Sequence, residues 1–209
     1  IFEKLVVAVG RRPVVKNTVN PALNLAITAR GFIDVNANYQ TNLPNVYAVG
    51  DVIGGAMLAH KGMEEGVACV EIMHGHKAQL NYDAVPSIIY TQPELAWVGL
   101  SESQAKAKGF NVKVGAFPFA AVGRAKAMEN TAGMVKIISD VASDRVLGAH
   151  LTGPFVSELL AELVLALEFG ATTEDLQLTM HAHPALAEAV HEAALAVDGK
   201  AIHAINRKK

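Results

Sequence analysis

The sequence has too few cysteines and too little positive charge for several classes of protein. Its 209 residues include one cysteine, Cys69, which excludes an internal disulfide framework and a metal site built from four cysteines. The formal net charge is −2. This gives no reason to expect a nucleic-acid partner, because phosphate binding requires clustered positive surface. We interpret the one basic cluster, "NRKK" at 206–209, as a solvated tail.

The sequence also lacks a long apolar run. The most apolar stretch, residues 159–169, contains Glu162 and Glu168 and is too short to span a bilayer. We find neither a signal peptide nor an initiator methionine. With 51% hydrophobic and 18% charged residues, the chain has ample material for a packed core. We therefore expect a soluble intracellular protein, located in the cytoplasm or, for a eukaryotic source, in the mitochondrial matrix.

The first part of the chain has the pattern of an α/β protein. Residues 5–9, "LVVAV", form an apolar run closed by Gly10, which is typical of a strand buried on both faces of a parallel sheet. Because such a strand needs neighbours, we expect the chain to be the C-terminal part of a longer protein. Two short strands are predicted around a turn at 29–31, and another strand at 45–49.

The strand at 45–49 is followed by Gly50-Asp51, a glycine-rich turn and a predicted helix over residues 56–73. The predicted apolar stripe of this helix consists of Leu58, Met63, Val67, Val70 and Met73. This order places the Asp51 carboxylate near the free N–H groups of a helix N-terminus, which stabilise anionic or electron-rich ligand groups. A buried strand that simply ends in an aspartate turn fits the same pattern.

The second part of the chain has a different order of elements. Five strands are predicted in "SIIYTQPELAWVGL" (two strands, interrupted at Pro93), "NVKVGAFPF", "GMVKIISD" and "RVLGAHLTG", and "SESQAKAKG" is a helix with a capping box. A long amphipathic helix at 156–169 and a shorter one follow. Strands in a run before helices in a run predict an α+β domain with an antiparallel sheet. The predicted fold class is therefore α/β plus α+β, with domains at 1–83 and 84–209.

The segment "HAHPALAEAVHEA" at 181–193 carries the strongest candidate for acid–base chemistry. Pro184 suits the first turn of a helix, which makes His183 the predicted N-cap and places Glu188 just over one turn into the helix. A histidine near a carboxylate suggests a proton-transfer pair, because imidazole titrates near physiological pH. An exposed histidine at a helix start fits the spacing equally well. His191 is an alternative partner for Glu188, and the pattern is weak evidence for a metal.

These segments occur in the order of a known family. The chain resembles the flavin-dependent pyridine nucleotide–disulfide oxidoreductases over essentially its whole length, and "HAHPALAE" together with "MLAHKG" resembles their lipoamide branch. The segment most specific to the wider family is "TNLPNVYAVGD" at 41–51. The other matching segments are "AVGRRP" at 8–13, "MLAHKG" at 57–62, "YTQPELAWVG" at 90–99, "GRAKAM" at 123–128 and "DGKAIHA" at 198–204.

The resemblance implies that the protein uses FAD and NAD. Gly50 and Asp51 would belong to the FAD site, with Asp51 accepting hydrogen bonds from the ribityl hydroxyls, and Gly10 would lie by the nicotinamide nucleotide. The residues at the pyrimidine side of the isoalloxazine would be Met57, Leu58, Ala59 and His60. In that position the N-terminus of the helix would stabilise negative charge on the flavin.

The resemblance also implies an activity and an assembly. His183 would be the catalytic base and Glu188 its orienting partner, reaching across a homodimer to the redox disulfide of the other subunit. Residues 84–209 would be the dimer-interface domain, and the His183–Pro184 peptide would be cis. The reaction would be the oxidation of dihydrolipoamide to lipoamide with NAD⁺ as final acceptor. Its setting would be a 2-oxoacid dehydrogenase complex, whose lipoyl domains would be partners.

The chain departs from the family pattern in three respects. The redox cysteine pair and the glycine-rich dinucleotide fingerprints are absent from it, and Cys69 cannot replace that pair. Ala185 stands where a hydroxyl residue is expected, and Gly62-Met63 differs from the usual helix start. Alternative functions are another flavin disulfide reductase, a soluble transhydrogenase and a non-catalytic dimerisation module.

Overall fold

The structure is a computed structural model that describes residues 2–15 and 18–206. The chain divides into two compact units, Ile1–Leu80 (unit 1) and Asn81–Lys209 (unit 2). The last three residues of the basic cluster lie outside the described residues. Within the described ranges, no helix has the length and apolar character required to cross a bilayer.

Most of the regular structure belongs to unit 2. The helices are α1 Ala59–Met73 in unit 1 and, in unit 2, α2 Glu102–Ala107, α3 Gly123–Ala127, α4 Val156–Glu168, α5 Thr173–Leu178 and α6 Glu188–Val197. The strands are β1 Ser87–Ile89, β2 Glu94–Gly99, β3 Val112–Pro118, β4 Met134–Asp140 and β5 Val146–Gly153. Short 3₁₀ helices lie at Pro21–Leu23, Gly50–Ile53, Tyr82–Ala84 and Phe119–Ala121.

The five strands of unit 2 form one sheet in the order β1-β2-β5-β4-β3, and all neighbours are antiparallel. Pro93 separates β1 from β2, as expected because proline cannot donate to the strand ladder. The predicted capping box of α2 is present: Ser101 Oγ accepts the Gln104 N–H, and Gln104 Oε1 accepts the Ser101 N–H at 2.8 Å. The predicted α+β class with an antiparallel sheet is confirmed.

Helices α4 and α6 bury their apolar stripes on this sheet. α4 packs against β2 and β5, and α6 packs against β3 and β4. The large side chains that are almost completely buried include Phe117, Ile137, Leu160, Leu163, Val190 and Val197. Gly115 shows how closely α6 approaches β3, since a Cβ atom there would lie 2.1 Å from the Ala193 carbonyl oxygen. Each fully buried aliphatic side chain contributes about 1.5–3 kcal/mol, so α6 is firmly fixed and with it its first residue, Glu188.

In unit 1 the prediction of a buried strand at residues 5–9 is wrong. Leu5 and Val9 are 87% and 93% exposed, and the described part of unit 1 contains no strand that pairs with this run. A parallel strand is stable only with hydrogen-bonded neighbours. The apolar sequence therefore does not produce a strand without them.

The other two strand predictions in unit 1 reduce to isolated bridges. The turn at 29–31 is present, but its flanks pair only through one antiparallel bridge, Ile27 with Ile33. The run at 45–49 contributes only the bridge between Tyr47 and Gln40. These bridges still orient the chain so that it enters the Gly50–Ile53 helix next to α1.

The predicted helix over 56–73 is present as α1, which begins at Ala59. Its predicted apolar stripe is wrong, because Met63, Val67, Val70 and Met73 are all exposed. The buried side of α1 instead consists of Lys61, Glu65, Ala68 and Cys69. The physical reason is that Lys61 and Glu65 hydrogen-bond to the backbone at Gly50 and Gly54, while Ala68 and Cys69 pack against Tyr39.

Candidate active site

His183 and Glu188 meet in the segment that joins α5 to α6. The Nδ1 atom of His183 lies 2.7 Å from Glu188 Oε1, and Oε2 of the same carboxylate accepts the Ala185 N–H at 2.9 Å. The His183–Pro184 peptide is cis, as predicted. The expected contact between imidazole and carboxylate is therefore present in the structure.

The prediction that His183 caps the helix is wrong. α6 begins at Glu188, and its N-cap is Ala187. A residue that precedes proline is disfavoured in helical conformation, so the chain stays irregular from His183 until Glu188 opens the helix. Glu188 is consequently in the first turn of α6, where the helix dipole favours a negative charge.

The surroundings keep Glu188 ionised. Burial alone would raise the pKa of its carboxyl, but hydrogen bonds from the Ala185 N–H and the His183 ring outweigh it, and the positive charges that His183 and His203 carry when protonated add to them. The pKa of Glu188 is therefore below its ordinary value. An ionised Glu188 accepts the Nδ1–H of His183, and this tautomer has its lone pair on Nε2. The His183 side chain is 79% exposed, so Nε2 is accessible to a substrate.

The two other histidines of the segment have internal partners. His181 is held on both ring nitrogens, by Thr179 O at 2.9 Å and Glu162 Oε1 at 2.7 Å, and its side chain is 6% exposed. His191 stacks on His181 with ring centroids 5.1 Å apart, and its Nε2 lies 3.0 Å from Gln177 O. The alternative pairing of His191 with Glu188 is therefore not present.

A further histidine–glutamate pair, which the sequence did not single out, joins Glu192 of α6 to His203 in the segment that follows the helix. His203 Nδ1 is 2.6 Å from Glu192 Oε1, while Oε2 of Glu192 accepts the N–H groups of Ile202 and His203. Eleven residues separate the two partners, so no local spacing rule indicates the contact. Glu192 is 4% exposed, and its three contacts tie the C-terminal segment to α6.

In unit 1, Asp51 lies within the Gly50–Ile53 helix and presents a half-exposed carboxylate. Arg11 Nη1 lies 3.7 Å from Asp51 Oδ2 and donates a hydrogen bond to Met57 O at 2.9 Å. Gly10, with φ of +126°, directly precedes this arginine. The structure thus brings together Asp51, Met57 and, through its neighbour Arg11, Gly10.

The N-terminus of α1 is open to a ligand. Its N-cap, Leu58, provides no side-chain hydrogen bond to the first turn, and Ala59 and His60 are exposed. Gly62 allows the helix to touch the turn, since a Cβ there would lie 3.1 Å from Gly50 Cα. Backbone donors and the Asp51 carboxylate therefore lie in the same region of unit 1.

Cys69 does not provide a redox centre. It lies on the buried side of α1, and burial raises the pKa of its thiol. A raised pKa lowers the fraction of reactive thiolate. The described residues also contain no cluster of three or more His, Cys, Asp or Glu side chains suited to a metal ion.

Comparison with known proteins identifies the family of the chain. The sequence profile of the family described as pyridine nucleotide-disulphide oxidoreductase, dimerisation domain, matches residues 85–194, and the profile described as pyridine nucleotide-disulphide oxidoreductase matches residues 2–66. The chain belongs to the pyridine nucleotide-disulphide oxidoreductases.

Curated members of this family are similar to the chain over most of its length. It is 52% identical over 200 residues to the human mitochondrial dihydrolipoyl dehydrogenase, which corresponds to 95% of this chain and 39% of the human protein. It is 51% identical over 192 residues to the mouse mitochondrial dihydrolipoyl dehydrogenase, covering 92% of this chain and 38% of that protein. The chain thus spans well under half the length of these relatives.

Solved structures of the oxidoreductases share the fold. The HOCl-induced flavoprotein disulfide reductase RclA from Escherichia coli matches with a TM-score of 0.82 and 27% identity, over 90% of this chain and 43% of RclA. LpdA from Mycobacterium tuberculosis matches with a TM-score of 0.81 and 24% identity, over 88% of this chain and 40% of LpdA.

Proposed function

We propose that the chain is part of a flavoenzyme that oxidises dihydrolipoamide to lipoamide, with NAD⁺ as final electron acceptor, within 2-oxoacid dehydrogenase complexes. The observation that carries this proposal is the 2.7 Å contact between an exposed His183 ring and a Glu188 carboxylate that is anchored at the start of α6. The identity of 52% to human dihydrolipoyl dehydrogenase supports the choice of substrate.

The role of the pair follows from thiol chemistry. A thiol must lose its proton before its sulfur attacks a disulfide, because the thiolate is the nucleophile. Nε2 of His183 takes that proton, and Glu188 orients the ring through Nδ1 and stabilises the imidazolium that results. The disulfide itself must come from residues outside this chain, since the chain has one cysteine.

The FAD-binding residues are proposed in unit 1. The Asp51 carboxylate would accept hydrogen bonds from the ribityl hydroxyls. Met57, Leu58, Ala59 and His60 would lie at the pyrimidine side of the isoalloxazine, where the uncapped N–H groups at the start of α1 would face its electron-rich edge. These donors and acceptors fit the group, because the side chain of the N-cap leaves them uncovered. These residues would hold FAD, and the flavin would supply two-electron transfer between the dithiol and NAD⁺. Gly10 would lie near the nicotinamide nucleotide.

We further propose that residues 84–209 form the dimer-interface domain and that residues 1–83 contain the end of the NAD-binding domain and part of the FAD-binding domain. The match of the dimerisation-domain profile to residues 85–194 supports a homodimer. Lipoyl domains would be further partners. A mitochondrial matrix location suits a eukaryotic source, because the curated relatives are named as mitochondrial, and a cytoplasmic location suits a bacterial one.

The experiment that tests the proposal uses the full-length enzyme that contains this chain. Flavin absorbance after purification and NAD⁺ reduction with dihydrolipoamide are the expected results. Reduction of glutathione disulfide with NADPH, or transfer between NADPH and NAD⁺ without dihydrolipoamide oxidation, would contradict the choice of substrate. A colourless protein without activity would favour the non-catalytic dimerisation module.

The similarity to RclA favours a second candidate, another flavin disulfide reductase. This function would use the same histidine–glutamate pair with a different disulfide. Turnover of dihydrolipoamide compared with other dithiols separates the two candidates.

A further inference from the structure

Helix α1 buries two full charges, which is costly unless they are paired and hydrogen-bonded. Lys61 and Glu65 form an ion pair of 2.8 Å, and their side chains are 2% and 1% exposed. They take the place of the apolar residues that the inner side of a helix normally carries. A buried ion pair is weak evidence for stability, because two apolar residues of similar volume often do as well.

Lys61 and Glu65 also hydrogen-bond to the Gly50–Ile53 helix and its C-cap, the segment that carries Asp51. Lys61 Nζ donates to Gly54 O at 2.9 Å and lies 3.4 Å from Gly50 O, and Glu65 Oε2 accepts the Gly50 N–H at 2.7 Å. The two side chains thus hydrogen-bond to the backbone at both ends of the Gly50–Ile53 helix, at Gly50 before Asp51 and at Gly54 after it.

The middle of the Gly50–Ile53 helix is held by the Ile33 N–H, which donates to Val52 O at 2.9 Å, and by Ile53, which packs in a small apolar cluster. Its two ends have less support of their own. Its N-cap, Val49, provides no side-chain hydrogen bond, and the bond that closes it, from Gly54 N–H to Asp51 O, is 3.3 Å long. Gly54 has φ of +89°, a conformation that favours glycine and adds no side-chain anchor. The backbone groups on either side of Asp51, at Gly50 and Gly54, therefore depend on the hydrogen bonds of Lys61 and Glu65.

We propose that Lys61 and Glu65 are positioning residues for Asp51. They hold the Gly50–Ile53 helix against α1 before the flavin binds, so that the Asp51 carboxylate stands in place for the ribityl hydroxyls and less ordering remains to be done on binding. This inference rests on the proposed flavin-binding role of Asp51.

The decisive variant is the double replacement Lys61→Met and Glu65→Met in the full-length enzyme. It removes both charges and all hydrogen bonds to the turn but keeps apolar volume under it, so the fold and the unfolding temperature are expected to be retained. The FAD dissociation constant of the apoprotein, measured by quenching of flavin fluorescence, is expected to rise about 10–100-fold, the usual effect of losing supporting residues around a binding site. In the apoprotein, hydrogen–deuterium exchange of residues 49–55 is expected to be faster.

The control is Lys113→Met in unit 2. Lys113 is also a largely buried lysine with two carboxylate partners, Asp144 at 2.9 Å and Asp198 at 3.0 Å. This variant is expected to change stability but neither the FAD dissociation constant nor exchange at 49–55. If the Lys61→Met/Glu65→Met protein binds FAD like the wild type and shows wild-type exchange at 49–55, the inference is overturned.

Failure of the proposed function gives a different result. In that case the wild-type enzyme itself binds no FAD, while exchange at 49–55 still reports whether the pair orders the turn. If the double variant does not fold, Lys61→Met/Glu65→Gln, which leaves no unpaired buried charge and removes the Lys61 hydrogen bonds to Gly50 and Gly54, provides the same two measurements.

Discussion

Replacing His183 by glutamine should remove activity while leaving the fold nearly unchanged. The ring is 79% exposed, and the hydrogen bond that the structure gives it joins Nδ1 to Glu188. Exposed ion pairs contribute about 0–1 kcal/mol, so we expect the free energy of unfolding to fall by about 1 kcal/mol or less. A general base, in contrast, contributes about 10²–10⁴-fold to a rate, which is about 2.7–5.4 kcal/mol of activation free energy.

The assay is steady-state oxidation of dihydrolipoamide by NAD⁺, with flavin content and dimer mass measured first. The best control is His203→Gln, because His203 is also exposed, at 66%, and also contacts a glutamate of α6 through Nδ1. Both variants lose one histidine–glutamate contact of the same kind. Only the His183 variant should lose turnover.

The controls also include His181→Gln, which should behave in the opposite way to His183→Gln. Because the His181 side chain is 6% exposed and contacts Glu162, its replacement should cost more stability and less turnover. Near-wild-type turnover in the His183 variant, with a large loss in the His181 or His203 variant, would refute the assignment of the base.

The remaining predictions address the carboxylates and the assembly. Glu188→Gln should reduce turnover less than His183→Gln, since the imidazole remains and loses only its orientation and charge support; kcat at saturating substrate checks this. Asp51→Ala should lose FAD on dialysis, because charge-assisted hydrogen bonds are removed, and unchanged flavin occupancy would contradict it. Burial raises the pKa of Asp198, but Gln177 and nearby lysines outweigh it and lower the pKa to about 2. Its stabilising contribution is therefore present above its ordinary value of 3.8 and is lost as the pH falls towards 2, so Asp198→Asn should weaken stability in urea at pH 7 but not near pH 2. Light scattering should give a homodimer, and an active monomer would exclude the proposed interface.

Unit 2 could be predicted from the sequence because its signals are local. Alternating apolar residues, the proline between β1 and β2 and the capping box at Ser101 each act within a few residues of the chain. The sheet they produce is antiparallel, and three of its four neighbouring pairs (β1–β2, β3–β4 and β4–β5) join strands that are consecutive in sequence. The order β1-β2-β5-β4-β3 was not predicted, because the pairing of β2 with β5 depends on contacts about 50 residues apart.

Unit 1 was predicted less well because its signals depend on partners. The apolar run at 5–9 indicates a strand only when other strands border it. The apolar stripe predicted for α1 rests on its hydrophobic residues alone. The buried side instead includes Lys61 and Glu65, which hydrogen-bond to the backbone at Gly50 and Gly54. An i,i+4 lysine–glutamate spacing normally indicates an exposed surface pair, so the sequence alone favours the wrong side of this helix.

The two histidine–glutamate pairs of α6 show what distinguishes a candidate catalytic pair from a structural one. Glu192 accepts hydrogen bonds from two backbone N–H groups and contacts the His203 ring, so its carboxylate holds the C-terminal segment against α6. Glu188 gives one oxygen to Ala185 N–H and the other to His183, and the first of these contacts fixes the carboxylate while the second orients the ring. Local spacing found the pair of Glu188 because His183 is five residues away. Local spacing does not predict the pair of Glu192 and His203, and the Glu192 carboxylate that contacts the His203 ring also accepts two backbone hydrogen bonds. Exposure is therefore a poor criterion for choosing between His183 and His203 as the catalytic base. The backbone hydrogen bonds that each partner glutamate accepts are a better criterion.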